Sequence, residues 1–164
     1  MTAEFLAVKP VSRSVIITSK LSAALINVVI VNIASLISSI MIVASFNKGY
    51  DITDEIVMFH LSMFIIQLIF LSLGSFVSSL IKNPKSSGSA ASAILFGTVV
   101  ISKITDLTDR VNAINVLSPF KYFNSEDIVN GNGLKGAAVI LSILLSMAFI
   151  LLAYYYYNKR DMNV

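Results

Sequence analysis

The stretch LSAALINVVIVNIASLISSIMIVASF, Leu21 to Phe46, contains no charged residue. A helix that crosses the hydrocarbon of a bilayer needs about 20 apolar residues at about 1.5 Å each, and this run exceeds that. Three further runs share its character. IVMFHLSMFIIQLIFLSLGSFVSSLI, Ile56 to Ile81, is interrupted only by His60 and by uncharged polar residues. SGSAASAILFGTVVIS, Ser87 to Ser102, is shorter and rich in small residues, so it is expected to pack among the others rather than face lipid. GAAVILSILLSMAFILLAYYYYN, Gly136 to Asn158, ends in four consecutive tyrosines. The runs are apolar on all faces, as lipid-immersed helices are. They do not alternate over about 10 residues as transmembrane strands do. The predicted fold is therefore an all-α membrane protein with four spans at about 21–46, 56–81, 87–104 and 136–157.

Composition agrees with that reading. Of the 164 residues, 56% are hydrophobic and only 13% are charged, against about 25% charged in a soluble domain. So short a chain cannot hide that much aliphatic surface in a water-soluble core. No cysteine is present, which excludes disulfides and thiolate metal sites. The net charge of +3 needs no nucleic-acid partner, because basic residues flank membrane spans on the cytoplasmic side.

An even number of spans puts both termini on one side. Lys9, Arg13, Lys20, Lys82, Lys85, Lys159 and Arg160 fall there. Lys48, Lys103, Arg110, Lys121 and Lys135 are spread over longer loops on the other. The excess of basic residues near span ends predicts that the termini and the KNPK turn (Lys82 to Lys85) are cytoplasmic. Tyr154 to Tyr157 favour the membrane–water boundary, and Lys159 and Arg160 follow at once. A secretory signal has an apolar core of about 7–15 residues. Leu21 to Phe46 is longer, so it is an anchor that stays.

In NKGYDITDE, between the first two spans, Thr53 or Asp54 is the expected helix cap. In KNPKSSGS, Pro84 is expected to stop the second span, with Gly88 and its serines allowing a tight reversal. The long external loop, 105–135, is different. Leu107, Val111, Ile114 and Leu117 have helical spacing. SPFKYF follows, crowding Phe120, Tyr122 and Phe123 together. Asn124 or Ser125 can cap a second short helix, with Glu126 and Asp127 in its first turn. Two short helices lying on or dipping into the outer surface are expected.

GNGLKG (Gly131 to Gly136) matches G-x-G-x-x-G, but that pattern binds dinucleotides only between a strand and a helix of a βαβ unit. Here it is a glycine-rich turn. No phosphate-binding G-x-x-x-x-G-K-[ST] loop is present, and no catalytic set is visible. All nine acidic residues lie outside the predicted spans, so acid–base chemistry in the bilayer has no carboxylate pair to use. No enzyme activity, cofactor or metal is expected of this chain. Polar groups within the spans are Asn27, Asn32, His60 and Gln67. Such groups bond across helices or line a pathway, and both roles stay open for these four. Ser72, Ser75 and Ser79, beside Gly74 and Ser78, form a surface of small residues. Gly88, Ser92, Ala93 and Gly97 offer another in the third run, and Ser35, Ser38 and Ser39 a third surface in the first. Spans two and three are expected to pack there as an antiparallel hairpin.

The chain opens TAEFLAVKPVSRS. Thr2 can cap a short helix carrying Phe5 and Leu6, Pro10 breaks it, and Ser12 can cap a new helix that climbs through Arg13 and Ser14 into the first span. The picture is a flat amphipathic helix and elbow over 2–13. On the residues alone, the flat helix can equally be an interfacial anchor, as in a small non-catalytic accessory or structural membrane protein.

EFLAVKPVSRSVIITSK followed by a span closely resembles the cytoplasmic coupling segment of the ABC-2 type permeases, the membrane subunits of ATP-binding cassette exporters. Glu4, Phe5, Leu6, Lys9, Pro10, Ser12, Arg13 and Lys20 carry the likeness. LSPFKYF (Leu117 to Phe123) is similar to the family's external segment before the last span, and YYYYNKRDM to its close, at Tyr157, Lys159, Arg160 and Asp161. The resemblance implies a permease subunit in the cytoplasmic (plasma) membrane of a prokaryote, exporting a substrate. ATP would be hydrolysed by a separate ATP-binding cassette ATPase subunit, and a second permease subunit, the same or different, would complete the pathway. It implies that Glu4, Phe5, Leu6, Pro10, Ser12 and Arg13 meet the ATPase. Family members usually carry six spans, two of them before the coupling segment. This chain resembles the C-terminal four-span portion, so it is expected to be truncated at its N-terminus or complemented by a partner's helices.

Overall fold

The computed structural model describes residues 12–47, 49, 51–81, 83–107, 115 and 118–159. The elements are α1 (Arg13–Phe46), α2 (Thr53–Leu80), α3 (Pro84–Leu107), a 3-10 turn (Pro119–Lys121), α4 (Ser125–Val129) and α5 (Gly136–Lys159). Helices α1, α2, α3 and α5 are each long and apolar enough to cross a membrane. No strand occurs among the described residues. The chain is an all-α, four-span membrane fold.

The distribution of side chains is inverted relative to a soluble protein. Large aliphatic residues such as Ile26, Met41, Ile140 and Leu151 are exposed, while the buried positions include Ser62, Ser72, Ser79, Ser87, Ser102, Ser118 and Ser142. Lipid solvates the aliphatic exterior, so apolar burial does not drive helices together. Close packing of small residues does. The buried hydroxyls are satisfied locally: Ser72 donates to the Ile69 carbonyl at 2.7 Å, Ser79 to Phe76 at 2.6 Å and Ser142 to Ala138 at 2.7 Å. Each serine thus presents a small surface to its neighbour without an unmet hydrogen bond.

Helix α2 is the centre of the bundle and touches α1, α3 and α5. Its most extensive contact is with α5, and it also packs against α3 across the tight turn. Phe76 explains the contact with α5, because it stacks on Phe149 and tilts against Tyr156, with ring centroids 6.0 and 5.9 Å apart. Ala153, on the same helix as both rings, is fully buried. The serine surface of α2 borders clefts that α1 and α5 also line, with Ser72 in one and Gly74, Ser75, Ser78 and Ser79 in another. A methyl group added to Gly74, Gly88 or Gly97 would meet nothing within 4 Å, so none of these three marks a tight helix crossing within the chain.

Helix ends differ from expectation in two places. The second span is capped by neither Thr53 nor Asp54. The Thr53 amide donates to the Asp51 carboxylate at 3.0 Å, because a carboxylate two residues ahead of the helix reaches the first orphan N–H groups. Pro84 does not stop α2, which ends at Leu80. It opens α3, where its missing N–H costs nothing, and the Asn83 side chain accepts from the Lys85 amide at 3.0 Å. In the external segment Asn124 caps α4, accepting from the Glu126 amide at 3.2 Å, with Glu126 and Asp127 in the first turn. Gly131 and Gly133 adopt φ of 76° and 64°, the left-handed turn geometry glycine allows. The helix expected over Leu107 to Leu117 lies outside the described residues, apart from Leu107 and Asn115.

Hydrogen bonds from the Thr53 hydroxyl and then its amide hold the Asp51 carboxyl below its ordinary value. The unfolded carboxyl has the higher pKa, so this contribution is present above that value and is lost as pH falls through the lowered one. Asp51→Ala is expected to speed amide hydrogen exchange at Thr53 to Glu55 at neutral pH. The parent protein should approach the variant's rate only below about pH 4, after correction for intrinsic exchange.

Candidate functional site

Two groups of polar side chains stand out, one at the end of the bundle where α1 begins and one within it. At the first, Ser12 caps α1, its hydroxyl accepting from the Val15 amide at 3.4 Å. Glu4, Phe5, Leu6 and Pro10 lie outside the described residues. Arg13, the first residue of α1, donates to the backbone carbonyl of Asn158 at 2.8 Å. Ser14 lies 3.4 Å from the Asn158 side-chain oxygen, and the Thr18 and Tyr154 hydroxyls are 2.6 Å apart. One face of the start of α1, at i, i+1 and i+5, is therefore clasped to the end of α5. Next to the clasp, Lys159 donates to the Tyr155 hydroxyl at 2.5 Å and lies over its ring at 4.3 Å, a lysine reaching along an aromatic toward water. Nothing in the local sequence pairs Arg13 with Asn158. Their meeting follows from the way α1 and α5 both lie along α2.

Three of the four intramembrane polar residues come together. The Asn32 amide donates to the His60 carbonyl and to the Gln67 side chain, both at 3.4 Å. His60 Nδ1 is 2.9 Å from the Ile56 carbonyl. A carbonyl only accepts, so Nδ1 carries the hydrogen. Nε2 faces the hydroxyls of Ser35 and Ser39, at 3.3 and 3.4 Å. The serines of α1 thus serve the contact with α2, while Ser38 turns back to the Ala34 carbonyl at 2.8 Å. Asn27 does not join this knot. With His60, Ser62 and Gln67 it lines a mostly apolar cavity of about 750 Å³ between α1, α2 and α3.

Phe120, from the 3-10 turn, closes one wall of that cavity. Its ring lies 5.4 Å from that of Phe70, centroid to centroid. Ser118 just before it is fully buried and donates to the Thr98 carbonyl at 2.9 Å. Thr98 lies about 13 Å along α3 from its end at Leu107, so the SPFKYF segment dips well into the bundle. Irregular backbone at that depth is tolerated where protein covers it or where it lines a polar cavity. Both conditions hold here, since a second, polar cleft of about 720 Å³ lies on the other side of Phe120. Lys121 pairs with Asp106, which also meets Lys103 at 3.6 Å, and Lys135 pairs with Asp127 at 2.6 Å. Sequence reading marked the segment that carries Phe120, whose ring meets Phe70 of α2. It missed the cleft, because residues on α3, the 3-10 turn, the start of α4 and Lys135 build it jointly.

The family model described as ABC-2 family transporter protein matches residues 1–162. The chain belongs to the ABC-2 transporter family. No curated protein and no solved structure matches it. Membership makes this four-helix protein a membrane component of a transport system. The clasp of α1 to α5 and the polar knot are then features of a permease-type bundle.

The knot is expected to fix the α1–α2 register. A double-mutant cycle of Ser35→Ala and His60→Phe, read as unfolding free energy in mixed micelles, should give a coupling of about 0.6 kcal/mol and no more than about 1.7. A coupling indistinguishable from zero would show that these side chains do not hold the helices together.

Proposed function

We propose that the chain is a permease subunit of an ABC exporter. It couples ATP hydrolysis by a separate ATPase subunit to movement of a substrate across the cytoplasmic membrane of a prokaryote, with both termini cytoplasmic. A second permease subunit completes the pathway. The observation that carries this reading is the clasp of Arg13, Ser14 and Thr18 to Tyr154 and Asn158, immediately after the segment that resembles a coupling helix. A push on residues 2–13 would reach the first and last spans together rather than one helix alone. Phe5 and Leu6 are apolar knobs suited to an ATPase groove, and Pro10 and Ser12 form the elbow. Glu4 and Arg13 set register by charge. The orientation is supported by the basic residues Arg13, Lys20, Lys85 and Lys159 on the clasp side.

Two experiments separate binding from coupling. Phe5→Ala combined with Glu4→Arg, which leaves the clasp untouched, is expected to abolish capture of the ATPase and transport in a complete complex; intact capture and transport would sink the proposal. Tyr154→Phe removes one hydrogen bond of the clasp and leaves residues 2–13 unchanged. Capture should persist while substrate moved per ATP hydrolysed falls, by up to about fivefold for a bond worth about 1 kcal/mol.

A further inference from the structure

Two side chains of the apolar cavity carry hydrogen-bonding groups that meet nothing. Asn27 lines the cavity, is exposed, and makes no hydrogen bond among the described residues. Gln67 accepts from Asn32 through its oxygen, but its own N–H groups donate to nothing among the described residues. Both lie deep in their spans. Asn27 is about 21 Å along α1 from Arg13, and Gln67 about 20 Å along α2 from Leu80. Hydrocarbon offers no partner at that depth, so an unmet carboxamide there is costly. The other polar groups of the wall are engaged. Ser62 donates to the Phe59 carbonyl at 2.7 Å, and His60 meets the Ile56 carbonyl and two serines of α1. Among the described residues no lysine, arginine, aspartate or glutamate lines the cavity.

The cavity has the size of a small-molecule site. Helices α1 and α3 both pack on α2 without extensive contact between them. Val31 and Leu95, which line the cavity from those two helices, are exposed, so it opens sideways to lipid. We infer that the cavity binds an uncharged, mainly hydrocarbon molecule that carries a carbonyl group. The carbonyl oxygen accepts from the N–H groups of Gln67 and Asn27, and the chain lies along Phe59, Ile66 and Phe70. A permanently charged ligand would find no countercharge in this wall. A plain alkane would leave both carboxamides unmet. A helix from a second copy would need about 10 Å of clear width along the groove, and Phe120 closes one wall beside Phe70. The inference deepens the permease reading by naming a ligand class for the bundle, and it rests on that reading only for the step of transport. Binding itself needs no ATPase.

The chain contains no tryptophan, so one introduced residue is a clean fluorescent reporter. Phe59→Trp reports on the cavity. Ile140→Trp, on the exposed face of α5, reports on bulk detergent. The purified full chain is titrated in detergent with chain-brominated stearamide. Quenching of Phe59→Trp is expected to saturate and to be reversed by unbrominated stearamide, while Ile140→Trp shows a shallow, unsaturable loss. Chain-brominated octadecane, which lacks the carbonyl, should bind about fivefold more weakly or worse, and chain-brominated octadecyltrimethylammonium no better than the alkane. Asn27→Leu, placed in the Phe59→Trp background, breaks no hydrogen bond among the described residues. It should weaken stearamide about fivefold and leave octadecane unchanged, and Asn27→Gln should restore part of the loss. Equal affinity for amide and alkane, ammonium binding as tight as amide, or unsaturable quenching at both positions would overturn the inference. So would an unsubstituted chain that is dimeric, becomes monomeric with Asn27→Leu and shows no amide preference, because Asn27 would then serve a second copy. Saturable amide binding without ATPase capture would leave the site standing and the coupling proposal failed. Intact capture and transport without amide binding would do the reverse.

Discussion

Inside a bilayer, a polar group that finds no partner within the protein finds none at all. That constraint shapes this chain at every level. It confines the backbone to helices. It also decides what the contact surfaces are made of, because apolar burial gives helices in lipid little reason to associate. The contacts instead use side chains that are small and already hydrogen-bonded to their own helix. Ser62, Ser72, Ser79 and Ser142 each return their hydroxyl to a carbonyl three or four residues back. The helices can then approach through short side chains, and a few aromatic rings, Phe76 on Phe149 and Tyr156, set the pairing of α2 with α5.

The same constraint gives the polar exceptions their significance. Asn32, His60 and Gln67 meet because each would otherwise be unmet in hydrocarbon, and Ser35 and Ser39 complete the set from α1. The knot joins α1 to α2 on one side of the bundle, while Arg13, Thr18, Tyr154 and Asn158 join α1 to α5 at one end. The first span is therefore fixed both to the central helix and to the last one. Displacement of its start has two routes into the bundle, which is the mechanical property a coupling element needs. At the opposite end the buried Ser118 anchors the irregular SPFKYF segment to the middle of α3, keeping a wall between apolar and charged spaces.

Much of this was legible in the residues. Charge-free runs of spanning length identify four helices because hydrocarbon tolerates little else. Asn124 with Glu126 and Asp127 announced a short helix. Ser12 announced the start of α1, although that helix begins at Arg13, well before the apolar run. At about 51 Å for its 34 residues, α1 is longer than the hydrocarbon is thick. Hydrophobicity marks only the part in lipid, not the part in water. Pairing was less legible. The short turn announced that α3 packs beside α2, as it does, but the larger contact of α2 with α5 left no local signal, because it rests on rings of residues far apart in the chain. Glycines were also misleading, since Gly74, Gly88 and Gly97 approach nothing closely. Asp51 in place of Thr53 or Asp54 shows how a neighbouring side chain can take over a cap. The two cavities left no local signal, because each is assembled from three or more elements.

The account stands on α1 and α5 meeting where the coupling-like segment ends. The chain has no cysteine, so this is open to direct measurement. Ser14→Cys with Asn158→Cys, treated with a short bifunctional thiol reagent in native membranes, is predicted to cross-link rapidly and within one chain. A control pair at Ser14 and Met41, on the same helix but far along it, should not. Failure of the Ser14–Asn158 pair to cross-link, or linkage only between two chains, would contradict the account.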